Sequence, residues 1–246
     1  MKKFKIFFET LAVVVLIVIL KIAFQYFGLE ISNITALHTG LLAGSVFVLG
    51  FILSTTHSDY KESEKMPVEL VANVESIYQE GKLFKEKYKR FDDKGFNKTL
   101  GEILSSFRKD ITSHSYESFK NAKALTGYFV TMEKNGLPAN YIVKLKQEQN
   151  NIFKVILRMH YLQKIQPLPS AFILVQGIVA LLILMLLTTK IGNLTDEIVT
   201  TGFLSFIYIY MLKLIAIMDT PFHAEGVTQD DISLFLLKEQ EARLKN

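Results

Sequence analysis

The stretch from Phe4 to Phe27, FKIFFETLAVVVLIVILKIAFQYF, decides the fold class. It runs for 24 residues with Lys5, Glu9 and Lys21 as its only charges, and Leu11–Leu20 at its centre has no polar side chain. At about 1.5 Å of rise per residue it crosses a hydrocarbon core of about 30 Å with room to tilt. Lys2 and Lys3 precede it, as in a signal peptide. The apolar run is long for such a segment, however, and no small-x-small cleavage site follows, so an uncleaved span is predicted. Three comparable runs follow: Ala36–Thr55, Leu168–Leu187 and Val199–Met218.

The basic residues orient the four spans. Lys2, Lys3 and Lys5 stand at the N-terminus, and Leu29–Thr35 carries no Lys or Arg. His57–Gln166 holds 19 of the 28 basic residues, the connection Lys190–Ile198 only Lys190, and the tail Lys238, Arg243 and Lys245. This predicts both termini and the long middle segment on the cytoplasmic side of a cell membrane. The two short outer connections each contain an Asn-x-Thr triplet, at Asn33 and Asn193. Such triplets are common by chance and these lie close to the bilayer, so they carry little weight.

His57–Gln166 is too long for a structureless connection. Helix formers with an interrupted apolar stripe fill Glu64–Arg90. Asp92–Gly95 is a polar break, and Thr99–Tyr116 and Tyr116–Asn135 are two further predicted helices. Asn135-Gly136-Leu137-Pro138 is a breaker. Beyond it, Ile142, Leu145, Ile152, Val155, Ile156, Met159 and Leu162 share roughly one helical face of Asn140–Gln163. No strand alternation is evident. A cytosolic helical bundle is predicted.

Half of the 246 residues are apolar, with 19 Phe and no Cys. The lack of Cys excludes disulfides, thiolate metal sites and a Cys nucleophile. The net charge of +4 is too small to argue for nucleic acid as a partner. His38, His57, His114, His160 and His223 are scattered, and no phosphate loop, dinucleotide fingerprint or His-Glu-x-x-His run occurs, so an enzyme is not expected.

Within the spans, Phe47 and Phe51 lie four residues apart on one helical face, with Ala43 before them and Ser54 and Thr55 after. Read from the residues alone, Phe on such a face most often meets lipid or another helix. An apolar ring around an axis would instead gate by dewetting. Gly40-x-x-x-Gly44 permits close helix approach, within a subunit or between subunits. Lys213 sits about a turn and a half inside the fourth span, where it is either paired or snorkels, as Glu9 and Lys21 are expected to near the ends of the first. Asp219, Glu225, Asp230 and Asp231 lack a compact ligand loop and fit capping and solvation, with Asp230 and Asp231 at the start of a tail helix Ile232–Leu244. Polar residues are few enough that one subunit is not expected to enclose a water-filled path.

Phe47-Val48-Leu49-Gly50-Phe51 resembles the neck of the bestrophin family of ion channels. Pro167-Leu168-Pro169-Ser170-Ala171-Phe172 resembles the Pro-x-Pro-x-Ala motif that opens the third span in bacterial members. Asp219-Thr220-Pro221-Phe222 and Asp231-Ile232-Ser233-Leu234 resemble the signature after the last span, and Ser58–Asn73 the segment after the neck. Two features depart from the family: Leu212–Met218, with Lys213, replaces an acidic run, and the Arg/Trp-rich signature is missing. The resemblance is therefore to a distant prokaryotic branch.

It implies an all-α membrane protein with four transmembrane helices and a cytosolic helical bundle, oligomeric around a central pore. The implied organisation is residues 1–56 as helices 1 and 2, 57–166 as the cytosolic domain, 167–218 as helices 3 and 4, and 219–246 as the cytosolic tail. It implies a homopentamer with a hydrophobic neck at Ala43, Phe47 and Phe51, conducting monovalent ions, anions such as chloride before cations. A non-conducting scaffold whose bundle binds a protein is the rival. Ile142, just inside the helix after Pro138, is the implied lower aperture. Asp219, Pro221 and Phe222 form the implied membrane-end motif. No cofactor is expected, and with the acidic run replaced, no tight calcium site.

Overall fold

The computed structural model describes residues 4–113, 115–164, 169–220, 222 and 232–245. Its helices are α1 (Lys5–Tyr26), α2 (Ala36–Lys87), α3 (Asp93–Ser113), α4 (Glu117–Lys134), α5 (Ala139–Lys164), α6 (Pro169–Thr188), α7 (Leu194–Asp219) and α8 (Phe235–Lys245). Four of these, α1, α2, α6 and α7, are long and apolar enough to cross a membrane. The chain forms two compact units, one built from residues 1–60 and 167–220, the other mainly from 61–166 and the tail.

The second span and the predicted helix Glu64–Arg90 are one helix of 52 residues. It continues through Pro67, which removes one backbone donor and crowds the preceding turn without ending the helix. The sequence also shows no strand, yet β1 (Ser32–Asn33) and β2 (Thr189–Lys190) pair in parallel, Ser32 opposite Thr189 and Asn33 opposite Lys190. Two residues are too few for an alternation to show.

In the unit of α1, α6, α7 and the first part of α2, Leu49, Val175, Val179, Leu182, Tyr208 and Ile215 form one core cluster. Val14, Ile17, Leu187 and Ile209 form another. Beside them a charged cluster ties the two short connections together. Lys21, fully buried, donates from Nζ to Glu30 Oε1 at 2.5 Å and to the Thr189 carbonyl at 2.7 Å. Glu197, also fully buried, has Oε2 3.6 Å from the same ammonium and accepts the Ile191 N–H at Oε1. Lys21 therefore does not snorkel, because its partners meet it inside the protein.

In the other unit, Leu70, Val74, Ile77, Leu100, Ile103, Leu104, Leu125, Leu145 and Ile156 are buried. Phe84, Phe91, Phe96 and Tyr128 form an aromatic group with ring centroids 5.2 to 6.2 Å apart. Gly81 of α2 lies against the Phe96 ring so closely that a Cβ would overlap it. The buried Asp110 carboxylate accepts from the Ser118 amide at 2.9 Å and its hydroxyl at 2.5 Å. It thereby caps α4, whose own N-cap residue Tyr116 makes no side-chain cap. Buried Gln149 of α5 donates to the Ala122 carbonyl at 2.7 Å. Lys144 donates to Glu80 at 2.6 Å, and that carboxylate holds the ammonium above the usual lysine range.

Two substitutions test this packing. Lys21→Met leaves two carboxylates without their cation and should cost about 3–5 kcal/mol, read as a lowered thermal midpoint in detergent. Gly81→Ala should cost about 1–3 kcal/mol by overpacking against Phe96, more than the roughly 1 kcal/mol that Ala gains in helix propensity. A Gly81→Ala protein that melts higher than wild type would refute the close approach.

Candidate functional site

Two faces of α2 differ in kind. Leu49 is fully buried, and Ser45, Thr56 and Tyr60 are nearly so. Ala43, Ser54 and Thr55 on the other side are exposed, with Phe47 at 77% and Phe51 at 68% of their full accessibility. The helix is held in this rotation from behind. Tyr208 of α7, fully buried, donates its hydroxyl to the Leu42 carbonyl at 3.0 Å and lies 2.9 Å from Ser45 Oγ. Ser45 also donates to Leu42 at 2.7 Å. A phenol whose polar end must find partners thus fixes the face that Phe47 and Phe51 present. Nothing in the sequence marked Tyr208 for this; only its pairing with the chain's other end does.

A cleft of about 490 Å³ lies along the exposed Phe pair. Phe47, Phe51, Phe172 and Ile215 make it apolar, Thr55 and Thr56 line it, and Asp59 and Asp219 add two carboxylates. The structure thus brings Asp219 of the membrane-end motif to the same cleft as the two Phe rings. Phe222 is half-buried, and Pro221, Glu225, Asp230 and Asp231 lie outside the described residues. Ala171 and Phe172 of the motif opening the third span border the cleft.

Ile142 is 3% exposed, packed within its own helical unit, while its neighbours Tyr141 and Val143 are exposed. Gly40 and Gly44 have open space where a Cβ would point, so this small-residue stripe is not used for packing inside the subunit. Both border an apolar hollow with Leu41, Val48, Leu181 and Met185.

A second charged pair joins α1 to α7. Lys213 donates to Glu9 at 3.1 Å. Several polar side chains of α1 and α7 are deeply buried. Thr10 of α1 and Glu197, Thr201 and Ser205 of α7 are all fully buried. Thr10 Oγ1, Thr201 Oγ1, Ser205 Oγ and Glu197 Oε2 have no hydrogen-bond partner. The i, i+4 spacing of Glu197, Thr201, Ser205 and Lys213 is legible in the sequence, but only if Ile209 between them is passed over. Among the described residues no three His, Asp or Glu side chains stand together as metal ligands.

No family model and no curated protein sequence matches this chain. Solved structures do. The crystal structure of a bacterial bestrophin homologue from Klebsiella pneumoniae superposes with a TM-score of 0.83 at 14% identity, covering 97% of each chain. A single-residue variant of that homologue gives 0.82 at 15% identity, over 98% of this chain and 97% of the other. A crystal structure described only as a membrane protein variant gives 0.83 at 15% identity, again over 98% and 97%. At such identity the likeness is one of fold, and over nearly its whole length this chain has the fold of the bacterial bestrophin homologues.

Proposed function

We propose that this chain is one subunit of an ion channel, a homopentamer whose copies of α2 surround a central path. The observation that carries the proposal is the exposed face of Ala43, Phe47 and Phe51 on a helix whose opposite face is buried and hydrogen-bonded to Tyr208. Two large rings left at 77% and 68% exposure on one face suit an apolar constriction built from several copies. Monovalent ions pass it down their gradient, and anions such as chloride are what the bestrophin likeness favours. The short connections face outward, and both termini and the α3–α5 unit face the cytoplasm, a reading that the Lys and Arg distribution supports. In this reading residues 1–56 and 167–218 are the membrane part, 57–166 the cytosolic domain and 219–246 the tail. Residue Ile142 marks the turn of α5 that would narrow the cytosolic path, with exposed Tyr141 and Val143 as the side chains there that reach the surface.

A cation-conducting channel is the second reading. Asp59 and Asp219 line the cleft beside the Phe rings, and carboxylates at that position repel anions and concentrate cations.

The neck is tested by replacing Phe47 and Phe51 together with Ala and reconstituting the protein in planar bilayers. A wider and wetter constriction should raise unit conductance several-fold with the subunit count unchanged at five in native mass spectrometry. Conductance equal to that of an active wild type would remove Phe47 and Phe51 from the path. The charge question is separate: Asp59→Asn with Asp219→Asn should shift the reversal potential in a salt gradient toward the anion value. An unmoved reversal potential would take both carboxylates out of the conduction path.

A further inference from the structure

The cleft beside Phe47 and Phe51 is graded along its length. Phe47, Phe51, Thr55 and Asp59 line it at intervals of four residues, so they form one strip of α2 with about 6 Å of rise between neighbours. Phenyl rings occupy one end of the strip and a carboxylate the other. On α7 the order repeats: the buried Ile215 is followed four residues later by Asp219, and both line the same cleft. The third helix, α6, adds the ring of Phe172.

The polar groups here accept hydrogen bonds and have no proton to offer. Thr55 Oγ1 donates to the Phe51 carbonyl at 3.1 Å, and Thr56 Oγ1 to the Ile52 carbonyl at 2.9 Å. Each hydroxyl thus spends its single proton on its own helix and keeps only lone pairs for a guest. The ionised carboxylates of Asp59 and Asp219 are acceptors only. Among the described residues no Lys, Arg or His lines the cleft. An anion would therefore meet two like charges and no donor. A small metal ion is equally unsuited, because a hard cation such as calcium wants about six to eight oxygens. Among the described residues no three His, Asp or Glu side chains stand together, and the other walls are hydrocarbon. A lipid acyl chain would use those walls and leave both carboxylates uncompensated. An organic cation with a large apolar surface suits both ends. The carboxylates balance its charge, while ring faces and aliphatic walls take its body. The volume of about 490 Å³ lies within the roughly 300–1,000 Å³ typical of sites for small organic molecules.

We propose that this cleft is a binding site for a bulky, apolar organic cation, with Asp59 and Asp219 balancing its charge and Phe47, Phe51 and Phe172 holding its body. Binding requires only that the cleft be open on each subunit. Its consequence rests on the reading of α2 as pore-lining: an occupant lying against Phe47 and Phe51 obstructs the neck, and the cation is a blocker.

The test compares two ions of like size and shape and opposite charge, tetraphenylphosphonium and tetraphenylborate. Each is equilibrated by dialysis against the full-length protein in dodecyl maltoside, with empty micelles as the baseline. Wild type should retain the phosphonium above that baseline, with a Kd about tenfold or more below that of the borate. Asp59→Asn with Asp219→Asn should raise the phosphonium Kd about tenfold, which is about 1.4 kcal/mol, without weakening the borate. Phe47→Ala with Phe51→Ala should raise it several-fold. Retention no greater than by empty micelles overturns the proposal, as does a phosphonium Kd that the Asn pair leaves unchanged. Equal Kd values for the two ions on wild type also overturn it, by reducing the cleft to an apolar surface, and that comparison needs no variant to fold. In planar bilayers, phosphonium near its Kd should lower the conductance. Binding that the Asn pair weakens, with the conductance of an active wild type untouched, upholds the site and counts instead against α2 as the lining of the path.

Discussion

Hydrocarbon offers no hydrogen bonds, so any polar group carried into it must find its partner within the protein. The backbone meets that demand with four long helices, and several side chains meet it in pairs. Lys21 reaches Glu30, Thr189 and Glu197. Lys213 reaches Glu9. Tyr208 reaches Ser45 and Leu42. All of these contacts except Lys21–Glu30 join segments distant in sequence. The short parallel pairing of β1 and β2 lies where the first of them draws the two connections together, with Thr189 serving both as a strand residue and as an acceptor for Lys21.

The architecture was legible wherever one property repeats along a segment. The apolar runs located the four spans to within a few residues, and the 3.6-residue periodicity after Pro138 located α5. What could not be read were features made by residues from separate segments. Lys21, taken alone, is a long side chain near a helix end, and snorkelling is the economical reading; inside the protein it meets Glu30 and the carbonyl of Thr189, 168 positions later. The continuity of α2 was hidden by a change of composition near His57, where an apolar stretch becomes a charged one. Composition changes because the surroundings do, while the backbone dihedrals stay helical.

The candidate neck was legible in a different way. Phe47 and Phe51 share a face in any helix, but which way the face turns is set by Tyr208 and Ser45 on the far side. A five-residue resemblance supplied the expectation of a face turned to a central axis, and in the single chain that face is exposed. Ile142, chosen as an apolar residue near the start of the helix after Pro138, is buried in its own unit.

The unbroken run of α2 from Ala36 to Lys87 also constrains how this gene can vary. Phe47 and Phe51 near one end, and Leu70, Val74 and Ile77 further on, belong to one continuous helix. One codon added or lost between Thr55 and Lys61 would turn one set against the other by about 100°, since 3.6 residues make a turn. Relatives should therefore differ in length at the connections between α3, α4 and α5 well before they differ within this stretch.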